Sequence, residues 1–399
     1  MSIIVQKYGG SSVADSDKLK KIALMIAAVK REGFDVVAVV SAMGKTTNQL
    51  IEMAKSLSEN PDKRELDMLL STGERITMAL LCIALNDLGV EAISLTGSQS
   101  GIVTNDRNND ARVMEVRPFR VQDEIAKGKV VVIGGFQGVS YKRDITTLGR
   151  GGSDTSAVAL ASALKADRCE IYSDVDGVYT TDPNMVKDAK HLPEISYQQL
   201  QEMAEAGAKV LNAQAVQFAK EAGIALYARS TFSPGKETII RETAPLDRPS
   251  VISIVHETEI IRCIFKQKNL NLSFQQLNSF LENKNLSVKE LNLVEDDSIS
   301  KVSFILVKNN IHNWSSIKKE LETTFGSSFT IDETLAAVSI IGEGFSRDNR
   351  IVTETLKILS AAKIKYNGLA TTSFRLSLLV KKDDMEKTIS LLHKHWIES

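Results

Sequence analysis

Histidine and cysteine are scarce in this chain, with five of the first and three of the second among 399 residues. Four histidines (His256, His312, His393 and His395) fall beyond residue 255, and His191 stands in a loop-like stretch. That distribution disfavours zinc chemistry and a Ser-His-Asp triad. Cys82, Cys169 and Cys263 lie far apart, cannot all pair, and have no histidine close in sequence. They read as reduced, buried thiols of a cytoplasmic protein. An excess of either charge is also missing: 49 Lys and Arg stand against 50 Asp and Glu, for a net charge of −1. No nucleic-acid partner and no polybasic grip on a membrane surface are expected. No apolar run reaches the roughly 18 residues of a spanning helix, and Met1-Ser2-Ile3-Ile4-Val5 reads as a strand start rather than a signal peptide.

The most informative stretch is 147–183. A glycine-rich turn with Arg150, Gly151, Gly152, Ser153 and Asp154 runs into a helix of small residues. That helix feeds a strand ending in the acidic loop Ser173-Asp174-Val175-Asp176-Gly177. Glycines let backbone approach a ligand, and the bare N–H groups of a helix start attract anions. Carboxylates at a strand's carboxyl end suit a metal or a nucleotide. A phosphorylated cofactor is the expectation.

The first 245 residues alternate strand-like runs with helical segments. Strands are expected at 3–6, 36–40, 92–95, 130–133, 170–172, 225–228 and 238–241. Several are continuous Val/Ile runs, as parallel strands covered on both faces require. Asp15 or Ser16 caps a helix reaching Gly33, with Leu19, Ile22, Ala23, Ile26 and Val29 on one face. Another helix opens at Pro61 and is interrupted near Gly73-Glu74. This alternation predicts an open three-layer α/β sandwich. Residues 243–249, with two prolines, read as a linker.

Beyond the linker the order strand, helix, strand, strand, helix, strand appears twice. The first copy takes residues 259–333, with strands at 260–265, 287–293, 301–307 and 329–332 and helices at 273–283 and 314–325. The second takes 334–399, with strands at 336–341, 365–370 and 374–380 and helices at 351–361 and 385–395. Its missing strand is expected from 251–255, within a 246–258 connecting segment. The apolar helical face of Ile311, Trp314, Ile317, Leu321 and Phe325 is core. The plan of each copy is ferredoxin-like, βαββαβ.

At the amino terminus, Lys7-Tyr8-Gly9-Gly10-Ser11-Ser12 places a lysine and a glycine pair at the end of the first strand, the ligand edge of an open α/β sheet. The loop is not a Walker A sequence and lacks the G-x-G-x-x-G spacing of a dinucleotide fold.

Six segments now form an ordered set: KYGGSS at 7–12, VVSAMGKTT at 39–47, STGER at 71–75, GRGGSDTSA at 149–157, YSDVDGVYTTDP at 172–183 and GAKVLN at 207–212. Together they resemble the aspartate kinases of the amino-acid kinase family. The resemblance covers the whole chain, since those enzymes also end in paired ACT domains. It implies a catalytic domain over 1–245 followed by two ACT units, in the manner of the single-function bacterial enzymes. It also implies transfer of the ATP γ-phosphoryl group to the β-carboxylate of L-aspartate, the first step toward lysine, threonine and methionine, with Mg2+ accompanying ATP. An amino-acid effector at the ACT units and a homo-oligomer paired through their strands are further implications.

The chemistry fits the scarcity of histidine. A carboxylate is already ionised at pH 7 and needs no general base. The obstacle is repulsion between two anions, which cations and fixed N–H donors offset. By the resemblance, Lys7 acts on the transferring phosphoryl group with Gly9, Gly10 and Ser11 around it. Lys209, followed by Val210, is the second lysine near the phosphates. Asp154 is the carboxylate that organises lysines or metal. Ser173, Asp174 and Tyr179 match nucleotide contacts. For Asp176 and Asp182, a turn-forming role stands beside nucleotide contact. No protein-held metal site is expected. On the substrate side, Arg150 is the carboxylate clamp, its planar fork suited to bidentate pairing. Gly151, Gly152 and Ser153 follow it, Glu74 receives the α-ammonium, and Ser41 and Thr47 supply hydroxyls.

The chain departs from the pattern at three places. Ser11 stands for the usual threonine and keeps a hydroxyl. Asn184 follows Asp182-Pro183 where relatives often carry arginine, so a weaker hold on ATP is expected; an Asn184→Arg variant should then show a lower KM for ATP. The loops that open the first helix of each ACT unit, 267–271 and 346–350, lack the usual Pro-Gly, so weak or altered feedback is expected. Two rival readings differ in class: a kinase for another acid or nucleotide, and a non-catalytic amino-acid sensor with a relic kinase half. STGER with the paired ACT-like units opposes the first. The intact Lys7, Arg150, Asp154, Asp174 and Lys209 oppose the second.

Overall fold

Runs such as Val36–Val40 are too apolar to leave either face in water, and the chain buries them in the middle of a sheet. The computed structural model describes residues 2–149, 151–208, 210–233, 235–242, 250–267, 270–284, 286–295, 300–311, 313–345 and 349–398. The linker expected at 243–249 lies outside these residues. Contacts divide the chain into two units. The first holds Met1–Tyr179, His191–Glu205 and Lys209–Pro245; the second holds Thr180–Lys190, Ala206–Ala208 and Leu246–Ser399.

The first unit is built on an 8-stranded sheet in the order Glu194–Ile195, Glu237–Ile240, Leu226–Ser230, Arg168–Ser173, Ile3–Tyr8, Asp35–Val40, Val130–Gly134 and Ala92–Leu95. Its neighbours run parallel except Leu226–Ser230 against Glu237–Ile240. The two-residue alternation of a strand decides what each face holds. Tyr8, Val36, Ala38, Val40, Val130 and Val132 join one core with Leu19, Ile22 and Ile26 of the helix Ser16–Arg31 and Leu81 and Leu85 of Thr72–Asp87. Lys7, between Gln6 and Tyr8, faces the other way, toward the helix Gly152–Leu164. That helix is small and apolar nearly all round, so it lies buried along its length.

On the Tyr8 side a polar network fixes the register of the central strands. The buried carboxylate of Glu170 accepts from Gln6 Nε2 at 2.8 Å, Tyr172 Oη at 3.0 Å and Arg229 at 2.7 Å. Tyr8 and Tyr172 stack at 5.0 Å. The network joins three neighbouring strands, so a one-residue slip of any of them would strand a buried charge.

Asp15 caps the first helix, accepting from Lys18 N at 2.9 Å. Asp62, beside Pro61, caps Lys63–Leu70 through Arg64 N and Glu65 N. The interruption expected near Gly73-Glu74 falls at Ser71, between Lys63–Leu70 and Thr72–Asp87. The span Lys63–Asp87 is long and apolar enough to cross a membrane by length and hydropathy, which the sequence reading did not expect. Half of its apolar window is buried inside the protein, and it carries the buried carboxylates of Asp67 and Glu74, as befits a core helix.

A second, 4-stranded sheet in this unit, unexpected from the sequence, is ordered Val113–Val116, Ile102–Thr104, Gln137–Ser140 and Ile145–Thr147. Asp67 ties it to the helices: its fully buried carboxylate accepts from Thr147 Oγ1, Asn108 Nδ2 at 2.8 Å and Asn109 N at 3.1 Å.

The second unit contains two 4-stranded antiparallel sheets. One is ordered Lys289–Val294, Ser300–Val307, Ile260–Gln267 and Phe329–Asp332. The other is ordered Ser250–Glu257, Leu335–Glu343, Arg375–Lys381 and Tyr366–Thr371, its edge strand coming from the far side of the first sheet in sequence. Each follows the βαββαβ plan, with helices Leu270–Asn283 and Trp314–Phe325 on the first and Arg350–Ala361 and Met385–His393 on the second. Val186, from the segment inserted between strands of the first unit, is buried in the core of the second sheet with Ile254, Val338 and Leu392.

Candidate active site

The central strands run parallel, so their carboxyl ends open on one rim of the sheet, and the loops that follow them meet there. Lys7 sits one residue before the end of Ile3–Tyr8, between Val39 and Ile171 in register. Its Nζ lies 2.6 Å from Asp154 Oδ1, with both side chains about nine-tenths buried. Asp154 is in the first turn of Gly152–Leu164, so an ammonium and a helix N-terminus meet at one point.

The glycine pair after Lys7 is packed tightly from both sides. Gly9 N donates to Tyr172 O, and its own carbonyl accepts from Ser12 N and Val13 N. A Cβ on Gly10 would come 3.0 Å from Ala42 O, and Gly10 O accepts from Gly44 N. The loop therefore lies directly on the one after Asp35–Val40. Ser41, half-buried, starts that second loop and donates its N–H to Tyr8 O. Thr47 is half-buried in the first turn of Thr46–Leu57, and Ser11 is exposed.

Glu74 enters from the first turn of Thr72–Asp87 and is 3% exposed. Its Oε1 accepts from Ala42 N at 3.0 Å, while its buried Oε2 has no partner. Burial pushes its carboxyl up to about 7. Gly73 lets the helix approach this loop, since a Cβ there would meet the Ala42 Cβ at 2.9 Å.

A glycine pair that the sequence reading did not single out, Gly134-Gly135, passes between Glu74 and Ser153. A Cβ on Gly134 would stand 3.3 Å from Glu74 Cβ, and one on Gly135 would stand 3.0 Å from Ser153 Oγ. The available signal was Gly-Gly directly after a buried Val/Ile strand. Gly151 adopts φ +74°, and a Cβ there would strike Asn212 Cβ at 2.7 Å. The turn before Gly152–Leu164 thus touches the end of the 207–212 motif. Asn212 also caps Ala213–Ala222 through Gln214 N. Val210 is half-buried beside it. Arg150 and Lys209 lie outside the described residues.

In the loop after Arg168–Ser173, Ser173 O accepts from both Thr231 N and Thr231 Oγ1, and Thr231 Oγ1 lies 2.6 Å from Ser12 Oγ. This links the loop after Arg168–Ser173 to the one after Lys7. Asp174 is exposed. Tyr179 Oη donates to Asp176 Oδ1 at 2.9 Å, and its ring meets His191 edge-on at 5.4 Å. Asp182 belongs to the second unit, where its Oδ1 accepts from Asn184 N and Asn184 Nδ2. The structure thus gathers Lys7, Gly9, Gly10, Ser41, Glu74, Gly152, Ser153 and Asp154 at the rim, joins Ser173 to it through Thr231, and gives Asp182 a turn of its own.

Among the described residues no three His, Cys, Asp or Glu side chains converge on a point that could hold a metal ion. The site offers a buried ammonium and a helix start on one side. On the other it offers a buried carboxyl with an unused oxygen. An ammonium at a helix start attracts an anion, and a carboxylate attracts a cation.

Residues 2–230 match the model of the amino acid kinase family. The chain is 39% identical over 398 residues to an aspartokinase of Bacillus sp. (strain MGA3), covering 99% of this chain and 97% of the relative. It is 38% identical to aspartokinase 2 of Bacillus subtilis (strain 168), covering 98% and 97%. The fold is shared with E. coli aspartokinase III, solved with aspartate and ADP, at a TM-score of 0.81 and 24% identity, covering 98% of this chain and 99% of that one. The chain belongs to the aspartokinases of the amino acid kinase family.

Proposed function

We infer that this chain is an aspartate kinase. One oxygen of the aspartate β-carboxylate attacks the γ-phosphorus of ATP. The bond from that phosphorus to the β,γ-bridging oxygen breaks, and the products are 4-phospho-L-aspartate and ADP. The observation that carries this reading is the Lys7–Asp154 pair at 2.6 Å, set at the carboxyl ends of the central strands beside the Gly9-Gly10 turn.

Lys7 neutralises charge on the transferring phosphoryl group, and Asp154 holds the ammonium in place. Gly9, Gly10 and Ser11 present backbone to the phosphates, and Lys209 and Val210 take part in holding them. Ser173, Asp174 and Tyr179 contact the nucleotide. Glu74 receives the α-ammonium of aspartate, Arg150 clamps a carboxylate, and Ser41, Thr47, Gly151, Gly152 and Ser153 line the remainder. Mg2+ arriving with ATP would supply further positive charge beside the phosphates. Because the attacking carboxylate is already ionised, no side chain has to remove a proton.

The catalytic domain spans 1–245, and the ACT units span 259–333 and 334–399, the second completed by a strand from the 246–258 segment. The protein works in the cytoplasm as a homo-oligomer paired through ACT strands. ATP turnover that depends on L-aspartate, with the acyl phosphate trapped as its hydroxamate, tests the whole reading; turnover without aspartate, or none at all, overturns it. The effector loops lack the Pro-Gly pairs, so feedback is weak: titration calorimetry with lysine should give no binding tighter than about 1 mM, near −4 kcal/mol. Micromolar binding would contradict it.

A further inference from the structure

His393 lies far from the nucleotide loop in sequence, yet it is fully buried and its ring is bonded at both nitrogens. Nε2 lies 2.9 Å from Thr180 Oγ1, and Nδ1 lies 2.8 Å from Glu398 Oε1. Thr180 directly follows Tyr179, the end of the loop assigned above to the nucleotide. Every polar atom of Thr180 is engaged. Its N donates to Lys190 O at 2.9 Å, its Oγ1 accepts from Lys190 N at 2.9 Å, and its carbonyl accepts from Ile254 N at 2.7 Å. Because Oγ1 accepts the Lys190 amide, its own proton is available to His393 Nε2, and the ring proton on Nδ1 is then directed at Glu398.

The same segment is tied down twice more. Lys190 Nζ donates to Ile397 O at 2.6 Å, and Val186 is buried in the core beneath the Met385–His393 helix. Residues 180–190 are thus bound at base and tip to the end of the chain. The peptide bond from Thr180 leads straight to Tyr179, which pairs with His191, the residue after Lys190. Whatever fixes Thr180 and Lys190 therefore fixes the base of the Asp174–Tyr179 loop.

We propose that His393 is a positioning residue for the nucleotide: through Thr180 it holds the loop ending at Tyr179 in the shape that receives ATP. This rests on the assignment of that loop to the nucleotide. The geometry separates it from a role in stability alone. A bond that only stabilised the C-terminal unit would lower Tm and leave both substrate KM values unchanged. A bond that shapes the nucleotide loop raises KM for ATP and leaves KM for aspartate alone.

The test uses full-length protein, with steady-state kinetics at 25 °C, well below each variant's Tm, and ATP binding followed by calorimetry. His393→Leu removes the ring nitrogens, and Thr180→Val removes the hydroxyl at constant shape. Each should raise KM and Kd for ATP about 5-fold, the size of one lost hydrogen bond. The double variant should do no more than either single one, because the two remove the same bond. His393→Gln, whose terminal amide carbonyl takes the place of Nε2, should restore most of the affinity. If His393→Leu fails to fold, Thr180→Val and His393→Gln still decide the matter. Unchanged ATP affinity in Thr180→Val, an equal rise in KM for aspartate, or additive effects in the double variant would overturn the proposal. Absence of aspartate-dependent turnover in the unaltered protein would instead overturn the functional reading. Intact turnover with unaltered ATP affinity in the variants removes only the role of His393.

Discussion

Replacing Lys7 by methionine lowers kcat about 1,000-fold. In the mechanism proposed above the ammonium faces the transferring phosphoryl group, and its side chain is about nine-tenths buried. Removing a fixed charge-stabilising donor from such a site costs 10²–10³ or more in rate. The substitution also leaves Asp154 without its partner while nine-tenths buried, which costs about 3 kcal/mol of stability. The two effects are separable. Adding Asp154→Asn to Lys7→Met removes the stranded charge and should return most of the lost denaturation midpoint. It should not return activity, because no cation is restored. Denaturant melts beside single-turnover phosphoryl transfer check this. A Lys7→Met protein that still turns over at the original rate would remove the electrostatic basis of the mechanism.

The second large effect concerns Glu74 and depends on pH. Its carboxyl titrates near 7 in the fold against about 4.5 in an ordinary setting, because burial penalises the charged form. Between those values the folded protein holds a proton that the unfolded chain has released. The stability tied to this group is therefore complete below 4.5 and falls as pH rises to 7, by about 3 kcal/mol in all. In the role proposed for Glu74 the α-ammonium meets the carboxylate, so aspartate binding below pH 7 expels that proton. KM for aspartate should rise about 10-fold between pH 8 and pH 6. Glu74→Gln keeps an acceptor for Ala42 N and loses the charge. It should raise KM for aspartate about 100-fold at pH 8, flatten the pH dependence, and make the protein more stable than the unaltered chain at that pH. A KM in the variant that still climbs toward low pH would assign the dependence to another group.

Much of this was legible from the residues, and the exceptions have physical causes. Runs such as Val36–Val40 and Val130–Ile133 are apolar at every position, which only a strand covered on both faces tolerates. The KYGGSS and GRGGSD turns announced themselves because glycine beside charge has few other uses. The small sheet at 102–147 did not, because strands of three or four residues are too short for an alternation to register. Asp67 looked like any helix-surface carboxylate; only the fold shows that it satisfies Asn108, Asn109 and Thr147. Nothing local in the segment 180–190 reveals that its partners are Ile254, His393 and Ile397. Long-range pairing of this kind leaves no periodic trace in sequence.

The strand Ser250–Glu257 pairs along its length with Leu335–Glu343, which is made some eighty residues later. A ribosome releases the earlier ribbon first, so it must wait, unpaired, while the whole intervening sheet emerges and folds. Until then it is a sticky ribbon beside half-made neighbours on other chains. When its partner arrives, one pairing event threads the two ACT copies together, so that neither can be excised cleanly. A fragment begun after residue 257 would present Leu335–Glu343 as a bare inner edge, primed to seize a strand from any copy nearby.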